Sequence, residues 1–248
     1  MIIYEPKGEI SKIISNNDKM FHDCIDPYLF VSQSAINAII YALNMAEKTE
    51  VKTILDFPCG HGRVLRSLVQ YFPDAEITAC DLEKDAVNFC KDNFFARGIY
   101  SNTDISKIKL DRKFDLIWCG SLLTHFEKKL SEEFFNFFIN HLEDDGLLVV
   151  SFHGRFSTNV VAQADSSPKT KKMLMHFRKR EYAFFNADYH IDNDIAVPNY
   201  GGSFVKMSWV TSLIQKREDL TLIYFSERRY GKNQDVLAVQ KKYIYNEI

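Results

Sequence analysis

Between positions 52 and 152 the apolar residues change period again and again. Residues 53–57 (Thr-Ile-Leu-Asp-Phe) form a short apolar run of strand length. Residues 63–71 then place Val64, Leu65, Leu68 and Val69 at helical spacing. The alternation repeats. A strand is predicted over 76–80, a helix over 85–95, and a strand over 114–119 ending at Gly120. A helix is predicted over 131–142, with Ser131 as its N-cap and Glu132 and Glu133 at the positive end of its dipole. Asp145-Gly146 reads as a turn, and 147–152 as a further buried strand. Alternation of this kind implies a parallel sheet with helices on both faces.

The flanks differ. Residues 1–30 read as irregular and polar, and 32–45 as a helix carrying Ile36, Ile39, Ile40 and Leu43 on one face. After 153 the pattern breaks, and 154–205 reads as polar and irregular. A helix over 208–216 follows, then strands over 220–228 and 234–241, joined as a hairpin through Tyr230-Gly231-Lys232-Asn233. So long a loop in a compact domain is usually functional or carries its own structure. The expected organisation is a single domain over 1–248: a helical cap at 1–50, a ligand-binding core at 51–153, a substrate-side insertion at 154–205, and a final helix and hairpin at 206–248.

Composition narrows the class. The 248 residues are 46% apolar and carry a net charge of −2, so no global basic field points to nucleic acid. Cys24, Cys59, Cys80, Cys90 and Cys119 form no CxxC pair, so free thiols are expected and no metal site. The first residues lack a signal-peptide pattern, and no apolar run reaches membrane-spanning length. A cytoplasmic protein with no membrane partner is expected, and the sequence leaves its oligomeric state open.

The chemistry concentrates in Ile54-Leu55-Asp56-Phe57-Pro58-Cys59-Gly60-His61-Gly62-Arg63. A strand, a glycine-bearing turn and a helix start succeed one another there. Such a turn lets backbone approach a ligand, and the helix start offers free N–H groups. Asp81 closes the second strand about 20 residues on, where a carboxylate can accept both hydroxyl protons of a ribose. A dinucleotide would require a third glycine in G-x-G-x-x-G. Leu65 stands at that place, which suits a nucleoside ligand without phosphates.

On these motifs the chain resembles the class I S-adenosylmethionine (SAM)-dependent methyltransferases over roughly residues 50–153. The resemblance implies a Rossmann-like three-layer α/β sandwich. Its seven-stranded sheet is mostly parallel with an antiparallel last strand, an N-terminal helical cap, and an insertion after the fifth strand. It implies SAM as cofactor and S-adenosylhomocysteine (SAH) as product. The cofactor residues it implies are Asp56, Pro58, Cys59, Gly60, Gly62 and Arg63 in the first loop, and Asp81 and Leu82 after the second strand. Asp104 and Ile105 would lie by the adenine, and Cys119, Gly120 and Ser121 by the methyl group. The wording looks like a bacterial subgroup acting on small molecules. The expected reaction is methyl transfer to a small acceptor, sugar-like or phosphorylated among the options, with O-methylation ahead of N-methylation.

A general base helps when the acceptor is a hydroxyl. His125, just after the fourth strand, is the first candidate, His153 the second, and His190 in the insertion the third. Cys59 lies inside the cofactor loop and is not expected to be a nucleophile. No Asn-Pro-Pro-Tyr-like motif follows the fourth strand, which argues against adenine-N6 and glutamine-N5 chemistry. Lys169, Lys171, Lys172, Arg178, Lys179 and Arg180 read first as a solvated helix face, then as an anion- or RNA-binding surface. Tyr182, Phe184, Phe185, Tyr189 and Tyr200 could wall an acceptor pocket or equally form the core of the insertion, and Tyr200-Gly201-Gly202-Ser203-Phe204 could form a lid hinge. The rival readings are a non-catalytic SAM- or SAH-binding regulatory or partner protein, an RNA methyltransferase, and a nucleotide-dependent oxidoreductase.

Overall fold

The computed structural model describes residues 4–186, 190–191, 195–196 and 200–242. The core is a seven-stranded sheet built from β1 (Thr53–Asp56), β2 (Glu76–Asp81), β3 (Arg97–Tyr100), β4 (Phe114–Cys119), β5 (Leu142–Phe152), β10 (Leu220–Tyr230) and β11 (Gln234–Lys241). The strands lie in the order β10-β11-β5-β4-β1-β2-β3. β11 runs antiparallel to both its neighbours. The pairs β1–β2, β1–β4, β2–β3 and β4–β5 are parallel. This is the Rossmann-like arrangement, with the last strand antiparallel.

Parallel strands are covered on both faces, so their residues are apolar throughout. Ile54 and Leu55 are both fully buried, one on each side of β1. Against the first face pack α1 (Ile25–Met45), α2 (Leu65–Tyr71) and α3 (Lys84–Phe94). Against the second pack α4 (Lys128–Asn140) and α7 (Met207–Gln215).

Four local expectations need correction. Helix α1 starts at Ile25 rather than 32. Pro27 made that stretch look irregular, but in a first turn proline removes no helical hydrogen bond. Helix α4 starts at Lys128 with Glu127 as N-cap, so Ser131 lies inside the helix. Ser131 is buried, and its hydroxyl is 2.7 Å from that of Tyr182. The turn at Asp145-Gly146 is an irregularity inside β5, with Asp145 at φ 68°.

The fourth correction concerns 154–205, which is not irregular. It folds into α5 (Arg155–Ala164), α6 (Pro168–Lys179), and the antiparallel pair β6 (Tyr182–Asn186) and β9 (Gly201–Val205). The two-residue strands β7 (His190–Ile191) and β8 (Ile195–Ala196) also pair. The hinge expected at Tyr200-Gly201-Gly202-Ser203-Phe204 is therefore mostly strand. A Cβ on Gly201 would come within 1.8 Å of the Phe185 carbonyl oxygen, so this glycine serves close strand approach. The six basic residues of 169–180 are exposed on or just beyond α6. Tyr189 lies outside the described residues.

Phe138 of α4 is fully buried and packs edge-on against Phe57 at the end of β1, ring centroids 5.5 Å apart. Phe138→Ala is expected to lower unfolding free energy by about 3–5 kcal/mol, read as a shifted urea midpoint.

Asp235 on β11 is 4% exposed, and its Oδ1 accepts the Arg228 N–H at 3.0 Å. Burial pushes its carboxyl up to about 6 from an ordinary 3.8. The folded chain thus binds this proton more tightly than the unfolded chain does. Stability from this group is present at acid pH and falls as pH rises through that window. Asp235→Asn is expected to be more stable than the wild type at pH 7.5, with the difference vanishing near pH 4 in chemical denaturation.

Candidate functional site

The sheet reverses direction of growth between β1 and β4, and ligands of open α/β sheets bind at such a switch point, beyond the strands' carboxyl ends. A cleft of about 1060 Å³, counting its open mouth, lies there. Its floor is the loop after β1, with Phe57, Pro58, Gly60 and His61. Asp81, Leu82 and Glu83 flank it after β2, and Ser101, Asn102 and Thr103 after β3. Ser121, Leu122 and Phe126 follow β4, and Leu130 and Phe134 come from α4. Asp18, Lys19, Met20 and Tyr200 complete the lining.

The glycines of the first loop are there for conformation and space. Gly60 has φ 48° and Gly62 φ 75°, both in the left-handed region. A Cβ on Gly60 would meet nothing within 4 Å, whereas one on Gly62 would strike the Phe94 ring at 2.5 Å. Gly60 therefore opens onto free space and Gly62 onto packed core. The Gly60 N–H donates to Asp81 Oδ2 at 2.8 Å, and the Glu83 N–H to Asp81 Oδ1 at 3.0 Å. Each carboxylate oxygen keeps lone-pair capacity for a ligand hydroxyl.

Asp56 is the second acid. It is 1% exposed, and neither of its carboxylate oxygens has a hydrogen-bond partner among the described residues. Burial, and then the nearby charge of Asp81, hold its pKa well above the ordinary carboxylate range. Burial raises Asp81 too, against the pull of its backbone N–H donors. Two desolvated acids favour a cationic ligand and oppose an anionic one. SAM carries a sulfonium and an ammonium group, and a dinucleotide carries phosphates. The open space above Gly60 and the Asp81 carboxylate fit SAM, whereas Asp56 is buried behind the loop and does not line the cleft.

The comparisons agree. Residues 54–146 match the family model of a methyltransferase domain. That stretch carries the likeness to the class I SAM-dependent methyltransferases. SAM is accordingly its cofactor. Over 133 residues it is 27% identical to the malonyl-[acyl-carrier protein] O-methyltransferase of Acetivibrio thermocellus, covering 53% of this chain and 46% of that protein. The chain thus spans about half the length of this curated relative. A SAM-dependent methyltransferase from Clostridium acetobutylicum shares the fold at a TM-score of 0.59, 15% identity, covering 86% of this chain and 92% of that one. The plantazolicin methyltransferase in complex with SAH does so at 0.57 and 15%, covering 88% and 85%.

In this methyltransferase the expected cofactor residues distribute unevenly. Pro58, Gly60, Asp81, Leu82 and Ser121 line the cleft. Cys59 and Cys119 are buried thiols, pushed up by burial, that do not line it. Gly62 and Gly120 lie behind the lining, and Arg63 turns to the Tyr230 hydroxyl at 3.3 Å. Asp104 and Ile105 also lie off the lining. The Asp104 side chain caps the short helical turn that follows it and accepts the Ser106 N–H at 3.0 Å, while Asn102 and Thr103 face the cleft.

The histidines are set back. His125 Nδ1 is 2.7 Å from the Gly201 carbonyl oxygen, which fixes the neutral tautomer with its proton there and its lone pair on Nε2. Its ring stacks on Tyr200 at 4.6 Å, and Tyr200 forms part of the cleft wall. Burial lowers the His125 pKa, partly offset by the Gly201 carbonyl. Burial and His125 press His153 down to about 4, and its Nδ1 has no hydrogen-bond partner among the described residues. His190 lies in β7, with its side chain outside the described residues.

Sequence reasoning missed three contributors. Residues 18–20, read as part of an irregular flank, roof the cleft. His61, the middle residue of the G-x-G loop, lines it and meets Asp85 Oδ2 at 3.0 Å. Leu130 was hidden by the late helix start, and Phe134 lay inside the predicted helix without being read as a cleft residue.

Asp81→Ala is expected to weaken SAH binding about a hundredfold, because two charge-assisted hydrogen bonds to the ribose are worth about 3 kcal/mol or more. Calorimetric titration with SAH measures it.

Proposed function

We propose that this protein transfers the methyl group of SAM to a small acceptor with an apolar body, to oxygen first and to nitrogen second. The observation that carries this reading is the Asp81 carboxylate, held by the Gly60 and Glu83 N–H groups, in a cleft that is also walled by Leu122, Phe126, Leu130, Phe134 and Tyr200. When bound, SAM supplies an electrophilic sulfonium methyl. The chain's own part is to hold Asp81 for the ribose and the loop from Asp56 to Gly62 for the methionine end, and to keep an acceptor atom aligned in a site shielded from water.

A sugar-like or phosphorylated acceptor gains no support from the walls. Lys19 is the one lysine or arginine of the described lining, and it already sits 3.6 Å from Glu83. His125 is the base we favour over His153, since its tautomer is fixed and its Nε2 lone pair is available. The structured segment 154–205 acts on the acceptor side, for Tyr200 at its end joins the wall and bridges to Phe126. The malonyl-[acyl-carrier protein] relative makes a carboxyl group on a flexible apolar tether one acceptor to try.

The test is SAM-to-SAH turnover against malonyl thioesters, aliphatic acids and phenols. Acceptor-dependent SAH formation is expected, lost in Asp81→Ala. His125→Ala should lower kcat about a hundredfold or more while leaving SAH affinity unchanged. SAH affinity without turnover on any acceptor would favour a regulatory binding protein instead.

A further inference from the structure

At the β4 side of the cleft a closed ring of hydrogen bonds crosses three strands. Ser121, with φ 64°, follows Gly120 at the tip of β4. Its N–H donates to Ser151 Oγ on β5 at 2.8 Å. The Ser151 hydroxyl donates to Gln234 Oε1 on β11 at 2.7 Å. Gln234 Nε2 donates back to Ser121 Oγ at 2.9 Å. Ser151 is fully buried.

Ser151 Oγ accepts the backbone N–H and gives its own hydrogen to Gln234 Oε1. The Gln234 amide must then show oxygen to Ser151 and nitrogen to Ser121. Ser121 Oγ accepts that N–H, so its own hydrogen points out of the ring. Thr124 Oγ1 gives its own hydrogen to the Ser121 carbonyl at 2.9 Å and so competes as an acceptor, but at 3.4 Å it is long for an O–H···O bond. The remaining direction is the cleft, which Ser121 lines.

We propose that Gln234 is a positioning residue that makes the Ser121 hydroxyl a hydrogen-bond donor aimed at the acceptor side of the cleft, where it engages an oxygen lone pair of the methyl acceptor. This rests on the reading of the cleft as a methyl-transfer site. Ser121 stands across β1 from the ribose-ready Asp81, beside the apolar walls of Leu122 and Phe126. A directed donor in such surroundings is strong, because water competes weakly there. The acceptor class it selects is an oxygen-bearing group, such as a carbonyl or carboxyl, on an apolar body.

Gln234→Glu keeps the shape and reverses the polarity. A carboxylate accepts from both Ser151 and Ser121, turning the Ser121 hydrogen away from the cleft. Neutron diffraction from deuterated crystals of the full chain with SAH at pH 8 reads this, with cleft water as the oxygen probe. In the wild type the Ser121 deuterium is expected on the line to a cleft water, and in Gln234→Glu on the line to the carboxylate. SAH affinity should change less than about threefold in Gln234→Glu and in Ser121→Ala. A wild-type Ser121 deuterium directed at Gln234 or Thr124 overturns the proposal. So does a loss of SAH affinity of about tenfold or more in Ser121→Ala, which would give the hydroxyl to the cofactor. If the wild type binds neither SAM nor SAH, the methyl-transfer reading fails instead, and crystals without ligand still decide where the hydroxyl points.

Discussion

Arg66 in α2 holds the roof of the cleft to its floor. Its side chain is fully buried. Nε donates to the Gly62 carbonyl at 3.0 Å, and Nη1 to the carbonyls of Ser11 and Ile13 at 2.9 and 2.8 Å. Nη2 reaches the Tyr28 hydroxyl at 3.3 Å. A buried guanidinium costs several kcal/mol in lost hydration, and only a full set of acceptors offsets that. Three otherwise separate pieces supply the set: the N-terminal segment, α1, and the G-x-G turn. None can move without stranding the charge. The turn that opens the cleft and the segment that covers it are thus one mechanical unit.

A second fastening works through Asp18, which accepts the Tyr28 hydroxyl and lies beside Lys19 and Met20 in the roof. Asn17 and His61 both reach Asp85 at the start of α3. The polar end of the cleft is therefore tied by hydrogen bonds on three sides, while the side chains of Phe126, Leu130 and Phe134 present an apolar wall. Specific polar bonds suit a fixed cofactor. Non-directional apolar contact suits an acceptor recognised by shape and volume.

The sheet and the first loop were legible in the sequence because each rests on local rules. Apolar runs of strand length, apolar-periodic helices, and glycines before a helix start all leave marks within a few residues. Asp81's place in the cleft was legible for the same reason, since it ends a strand and its spacing from the loop is set by one βα unit. What was not legible depends on contacts remote in sequence. Ser131 looks like an N-cap until Tyr182, 51 residues on, is seen to take its hydroxyl. Asp104 looks like an adenine contact until Ser106 and Lys107 are seen to occupy it. Residues 154–205 read as a polar loop because their helices bury only narrow faces, Met173 and Phe177 on α6 among them.

The two histidines after β4 and β5 show how burial separates similar side chains. Both face β9, and both are stacked on an aromatic ring, His125 on Tyr200 and His153 on Phe204. Each is kept neutral by desolvation, which disfavours the charged imidazolium. They differ in what their nitrogens meet. His125 gives its Nδ1 proton to a carbonyl and so keeps a lone pair at Nε2, the arrangement a proton acceptor requires. His153 is pressed down to about 4 by burial first and by His125 second. Neighbouring β9, held by the His125–Gly201 bond, thereby ties the geometry of the base to the strand that carries Tyr200 to the cleft wall.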